Sequence, residues 1–91
     1  MKTQYEKDMS DLTEEEIAAV QKILCQELGV QVEQLSPGAV LDADLGADSL
    51  TKVEIVIGIE ERFGVTIPDE LSERVQTVED VYDTLAQVLK R

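Results

Sequence analysis

The stretch LDADLGADSL, Leu41 to Leu50, places three aspartates, a glycine and a serine within ten residues. Three chemistries compete for it. A calcium loop beginning at Asp42 needs an oxygen ligand at its fifth position, glycine at its sixth and a bidentate glutamate at its twelfth. Those positions hold Gly46, Ala47 and Val53, so the motif fails at all three and no metal site is expected. A hydrolytic serine needs a base. The chain contains no histidine, which removes Ser-His and Cys-His catalysis. Lys52 is the only nearby base candidate, and so small a chain suggests neither an oxyanion hole nor a substrate cleft. The third chemistry is modification of Ser49 by a group attached from outside. Asp48 is a good N-cap and Ser49 then takes the first helical position. Free N–H groups and positive partial charge at a helix start favour a phosphate ester there. Asp48 is placed to orient the hydroxyl or to help hold a metal during attachment. Ordinary phosphoserine and a larger phosphodiester both fit these requirements.

The elements that must position this serine can be read from periodicity and caps. The sequence DLTEEEI starts a first helix, Glu14 to Leu28: Thr13 caps it, Glu16 completes a capping box and Leu12 staples onto Ile17. Ile17, Val20, Leu24 and Leu28 form one apolar face, and Gly29 ends the helix. Residues 30–47 contain Pro37 and Gly38 and keep no period, so they read as a long connection anchored by Val32, Leu35, Val40, Leu41 and Leu45. A second helix runs from about Ser49 to Phe63 and stops at Gly64. After an extended VTIP segment, one short helical turn is expected over Asp69 to Glu73. A last helix is capped by Thr77 with Asp80 three residues on, and buries Val78, Val81, Tyr82, Leu85 and Leu89. The expected fold is all-α: three main helices and a short one, with a long loop between the first and second. Residues 1–12 are assigned to a flexible leader and 13–91 to one domain.

Composition narrows the partners. The chain has 91 residues, 43% of them hydrophobic, enough for one small core. Twenty acids against eight bases give a net charge of -12, which argues against nucleic acid and anionic membranes and favours partners with basic surfaces. The only aromatics are Tyr5, Phe63 and Tyr82, too few for base stacking. The single Cys25 excludes an internal disulfide and sits on a flank of the first helix as an inert thiol. No apolar run is long enough to span a bilayer and the N-terminus lacks a signal-peptide core, so the expected setting is cytoplasmic.

At 100° per residue the second helix carries two apolar faces. Ile55, Val56, Ile59 and Phe63 form the core face. Leu50, Val53 and Ile57 lie nearly opposite, flanked by Glu54 and Glu61 on one edge and Glu60 near the other. Either the long loop covers this second stripe, or it is an exposed apolar strip rimmed with carboxylates that docks onto a basic groove. Its start immediately after Ser49 favours docking.

The segment DLGADSL followed by VEIVIGIEERFGVTIPDE, with LGV ending the first helix and TVEDV opening the last, closely resembles the acyl carrier proteins of bacterial fatty-acid synthesis. The likeness spans about Glu14 to Leu89. It implies a carrier, not an enzyme. Ser49 matches the attachment serine of the family, with Asp48 supporting it. A phosphopantetheinyl transferase esterifies that serine with 4'-phosphopantetheine from coenzyme A, and acyl groups ride on the thiol of the arm. The resemblance gives the recognition helix Leu50, Val53, Glu54, Ile57, Glu60 and Glu61, the strip derived from periodicity, for basic surfaces on fatty-acid or polyketide synthase enzymes. It also implies an interior acyl pocket, for which Ile59, Phe63, Ile67 and Leu71 are the lining candidates, in a monomeric protein. Lys52 departs from the small polar residues usual at its position, and is expected to snorkel across the cavity mouth. Thr51, Arg62 and the longer leader also depart, which points to a specialised carrier. Carriers for polyketide, peptide or cell-envelope acyl transfer share the serine and the fold, although GADSL is closer to the fatty-acid branch than the GGHSL of peptide carriers. An acidic interaction module with a phosphorylated serine is the alternative from another class.

Overall fold

Local signals set the ends of the main helices. The computed structural model describes residues 12–89, so the assignment of residues 1–11 to a leader lies outside the described residues. Helix α1, Glu14–Leu28, starts on the full Thr13/Glu16 capping box and ends on Gly29 at φ 70, the left-handed conformation that glycine adopts without a Cβ penalty. Leu12, assigned to the leader by sequence, is only 6% exposed, so the packed domain already includes it.

Helix α2 spans Ser49–Phe63 between Asp48 and Gly64, helix α3 is the short Asp69–Glu73, and helix α4 is Val78–Leu89. Thr77 and Asp80 bond reciprocally at the head of α4: Thr77 N–H donates to the Asp80 carboxylate and Asp80 N–H to the Thr77 hydroxyl, each at 3.1 Å. Val20, Leu24, Leu41, Ile55, Val78 and Leu85 are the most fully enclosed side chains. They come from α1, α2, α4 and the long connection, so the loop is part of the core. Gly58 lies where α2 meets α1; a Cβ there would meet Ile23 Cγ2 at 3.3 Å, so a larger residue requires Ile23 to give by a few tenths of an ångström.

The 30–47 connection is held by more than apolar anchors. Leu35, Leu41 and Leu45 are buried as expected, but Val32 is 45% exposed. Val32 opens a 3-10 turn, Val32–Gln34, none of whose residues is buried. Further on, Val40 pairs with Thr77 in an isolated antiparallel bridge. Leu41 N–H donates to the Gln76 carbonyl at 2.8 Å, and Val78 N–H to the Ala39 carbonyl at 3.0 Å. These bonds fasten the loop to the head of α4 and fix the approach to Ser49.

Candidate functional site

Each of the three aspartates in LDADLGADSL accepts a backbone N–H. Asp42 Oδ1 takes Ala43 at 2.7 Å, Asp44 Oδ2 takes Val40 at 2.8 Å, and Asp48 Oδ1 takes Thr51 at 2.8 Å. Gly46, at φ 79, makes the left-handed turn that lets Ala47 N–H reach back to the Leu41 carbonyl at 2.8 Å. The aspartates therefore shape the turn and start the helix. Among the described residues no three His, Cys, Asp or Glu side chains converge in a way that could hold a metal ion.

Asp48, in extended backbone, caps α2 and leaves Ser49 as its exposed first residue. The Thr51 N–H holds the Asp48 carboxyl below the usual carboxylate range. A lowered carboxyl favours the fold while ionised: the contribution is fully present above the unfolded value and is lost as pH falls through the folded one. Asp48→Asn keeps a good cap that does not titrate in this range. Protection of the Thr51 amide from exchange, followed by NMR on acidification, is therefore expected to fall in the wild type and to stay flat in Asp48→Asn.

Behind Ser49, under α2, lies a cavity of about 200 Å³. Ser49, Lys52 and Leu41 stand on its wall together with Val53, Ile55, Val56 and Ile59 of α2, and Ile67, Ser72, Glu73, Val75, Val81 and Thr84 complete it; Val53, also part of the outer stripe, borders its mouth. Of the four residues expected to line a pocket, Ile59 and Ile67 do so. Phe63 and Leu71 do not stand on this wall. Phe63 is one helical turn beyond Ile59, further from the Ser49 end, and packs half-buried against the core with the Arg62 guanidinium 5.5 Å from its ring centre. Leu71 packs partly buried against the core, while the next residues, Ser72 and Glu73, reach the cavity. Sequence reasoning could not separate wall from core here, because both are lined by the same residue types.

Lys52 reaches the cavity wall, and its ammonium pairs with Asp42 Oδ2 across the loop at 3.4 Å. Asp42 is held below the usual carboxylate range first by the Ala43 N–H and then by the Lys52 charge. The Lys52 placement follows from helical phase; its partner, ten residues earlier in a turn, carries no sequence signal.

On the outer face of α2, Leu50 is 65%, Val53 53% and Ile57 46% exposed, so the loop leaves the second stripe open. Glu54 and Glu61 are exposed beside it. Glu60 is half-buried, and its Oε2 accepts the Ile67 N–H at 2.7 Å, which ties the α2–α3 connection to the helix. Among the described residues no helix is long and apolar enough to cross a membrane.

An exposed hydroxyl at a helix start, beside a mostly apolar cavity and an open docking-sized strip, suits a long phosphate-linked group held at one end and sheltered along its length. The family model described as "Phosphopantetheine attachment site" matches residues 18–85. The chain is also similar to the acyl carrier protein of Cyanidioschyzon merolae (strain NIES-3377 / 10D), at 43% identity over 77 residues, covering 84% of this chain and 85% of that relative. The group such chains carry is 4'-phosphopantetheine, and their role is that of a carrier rather than a catalyst. The chain belongs to the acyl carrier proteins of the phosphopantetheine-attachment family.

Proposed function

We propose that Ser49 is the attachment residue for 4'-phosphopantetheine, and that residues 12–91 form the carrier domain of fatty-acid type. The observation that carries this reading is the position of Ser49: exposed, first in α2 and on the wall of the cavity. The positive partial charge of the first helical turn favours a phosphodiester at that hydroxyl. When attached, the arm supplies a terminal thiol that holds acyl groups as thioesters. The remaining tasks fall to the chain.

Asp48 fixes where the helix begins and so where the hydroxyl points. The cavity shelters the acyl chain, with Ile59 and Ile67 among its apolar walls. A dry apolar cavity of about 150 Å³ accepts benzene, so a cavity of about 200 Å³ is large enough for a short acyl chain. The strip of Leu50, Val53 and Ile57, with Glu54 and Glu61 beside it, is the docking surface for the transferase and for acyl-handling enzymes. Glu60 contributes charge to the same helix while anchoring Ile67. A basic partner groove complements both the carboxylates and the net charge of -12. The lone thiol of Cys25 suits a reducing compartment such as the cytoplasm.

The test is incubation with coenzyme A and a broad-specificity phosphopantetheinyl transferase, followed by intact mass. One arm per chain is expected; an unchanged mass contradicts the proposal. For the docking surface, Glu54→Lys combined with Glu61→Lys is expected to slow association with the transferase roughly tenfold or more at low salt. The gap should narrow as salt screens the charges, with circular dichroism unchanged. Equal association rates at low salt would remove the strip from the docking role.

A further inference from the structure

We propose that Lys52 is a phosphate-binding residue: once Ser49 is esterified, its ammonium leaves Asp42 and takes the phosphodiester of the arm. The inference rests on Ser49 as the attachment residue. Lys52 lies three residues beyond Ser49 in α2, so the two share a face, and both stand on the wall of the same cavity. It is the only basic residue between Lys22 and Arg62, hence the one cation in that stretch available to a new anion.

The present partner holds it loosely. The contact is 3.4 Å, between side chains 35% and 58% exposed, and ion pairs this open to water contribute little. Asp42 does not depend on it either, because its other oxygen keeps the Ala43 N–H at 2.7 Å. A phosphodiester on Ser49 introduces negative charge one residue from Asp48, in a chain whose net charge is already -12. The flexible stem of lysine lets its ammonium follow that charge as a point cation. The exchange also frees Asp42 from α2 beside Leu41, a residue of the cavity wall, while the backbone bonds from Leu41 to Gln76 and from Val78 to Ala39 keep the loop in place.

The full chain, labelled at lysine nitrogen, tests this before and after loading with coenzyme A and a transferase. Before loading, Asp42→Asn should shift the Lys52 ammonium resonance. After loading, Asp42→Asn should no longer affect it. The phosphorus resonance of the diester should move in Lys52→Gln and return towards the wild-type position in Lys52→Arg. A loaded chain whose ammonium still responds to Asp42→Asn as before, or whose phosphorus resonance is the same in wild type and Lys52→Gln, overturns the inference and leaves Ser49 as attachment residue intact. Intact mass distinguishes the other failure: a wild type that takes no arm, or a Ser49→Ala chain that takes one, sinks the attachment reading and this one with it.

Discussion

Ser49→Ala is expected to take no arm under conditions that load the wild-type chain completely, while folding as the wild type does. The ester needs a hydroxyl, and alanine supplies none. The fold has little reason to respond, because the cap that starts α2 is made by the Asp48 carboxylate on the Thr51 N–H at 2.8 Å, and Ser49 itself is exposed. Alanine is also the best helix former for a first-turn position. The stability change should stay within about 0.5 kcal/mol, as at other exposed sites without special contacts. Loss of loading with an unchanged melting curve separates a chemical role from a structural one. Asp48→Ala provides the contrast, since it keeps the hydroxyl but removes the cap, at a cost typical of such caps of about 1 kcal/mol.

Leu85→Ala should bring the largest loss of stability, with Leu41→Ala somewhat behind it. Leu85 is 0% exposed on α4 and stands away from the cavity, whereas Leu41 is 1% exposed and forms part of the cavity wall. Truncating a buried leucine costs about 2–5 kcal/mol, with the spread set by how well the surroundings close over the gap. At Leu85 the gap opens between packed helices, which places the loss toward the upper end. At Leu41 the vacated space merges with an existing cavity, so less tight packing is lost and the cost falls toward the lower end. A small domain has only about 5–15 kcal/mol in total, and each kcal/mol moves the midpoint by roughly 4–8 °C at this size. Urea unfolding and calorimetry read the order directly. Leu41→Ala should also let the acylated carrier gain more stability from longer chains, which Leu85→Ala should not. A Leu41 variant as stable as wild type would contradict the place of the loop in the core.

The parts of the fold legible in the sequence are those fixed within a few residues. Thr13 with Glu16, Asp48, Gly29 and Gly64 each act on their own turn of helix, so the ends of α1 and α2 follow from local chemistry. The exposed stripe of Leu50, Val53 and Ile57 was equally readable, because helical phase alone separates it from Ile55 and Ile59. The bridge between Val40 and Thr77 was not, since its partners are distant in the chain and neither residue signals a pairing. Val32 reads as an anchor by residue type alone, whereas it lies 45% exposed in a short 3-10 turn. Phe63 shows the limit for the cavity: a large apolar side chain near the right helix face packs as core when it sits one turn too far from Ser49. The Lys52 position was legible, but its partner in the Asp42 turn depended on a loop geometry that no period encodes.

Peptide fragmentation of the loaded chain tests the central claim most directly, because it assigns the added mass to a single side chain. The chain offers Ser10, Ser36, Ser49 and Ser72 as serine hydroxyls. The 4'-phosphopantetheine mass should lie on Ser49 alone, in the peptide that contains GADSL. Modification at Ser10, Ser36 or Ser72, or at the neighbouring Thr51, with Ser49 left free, would contradict it.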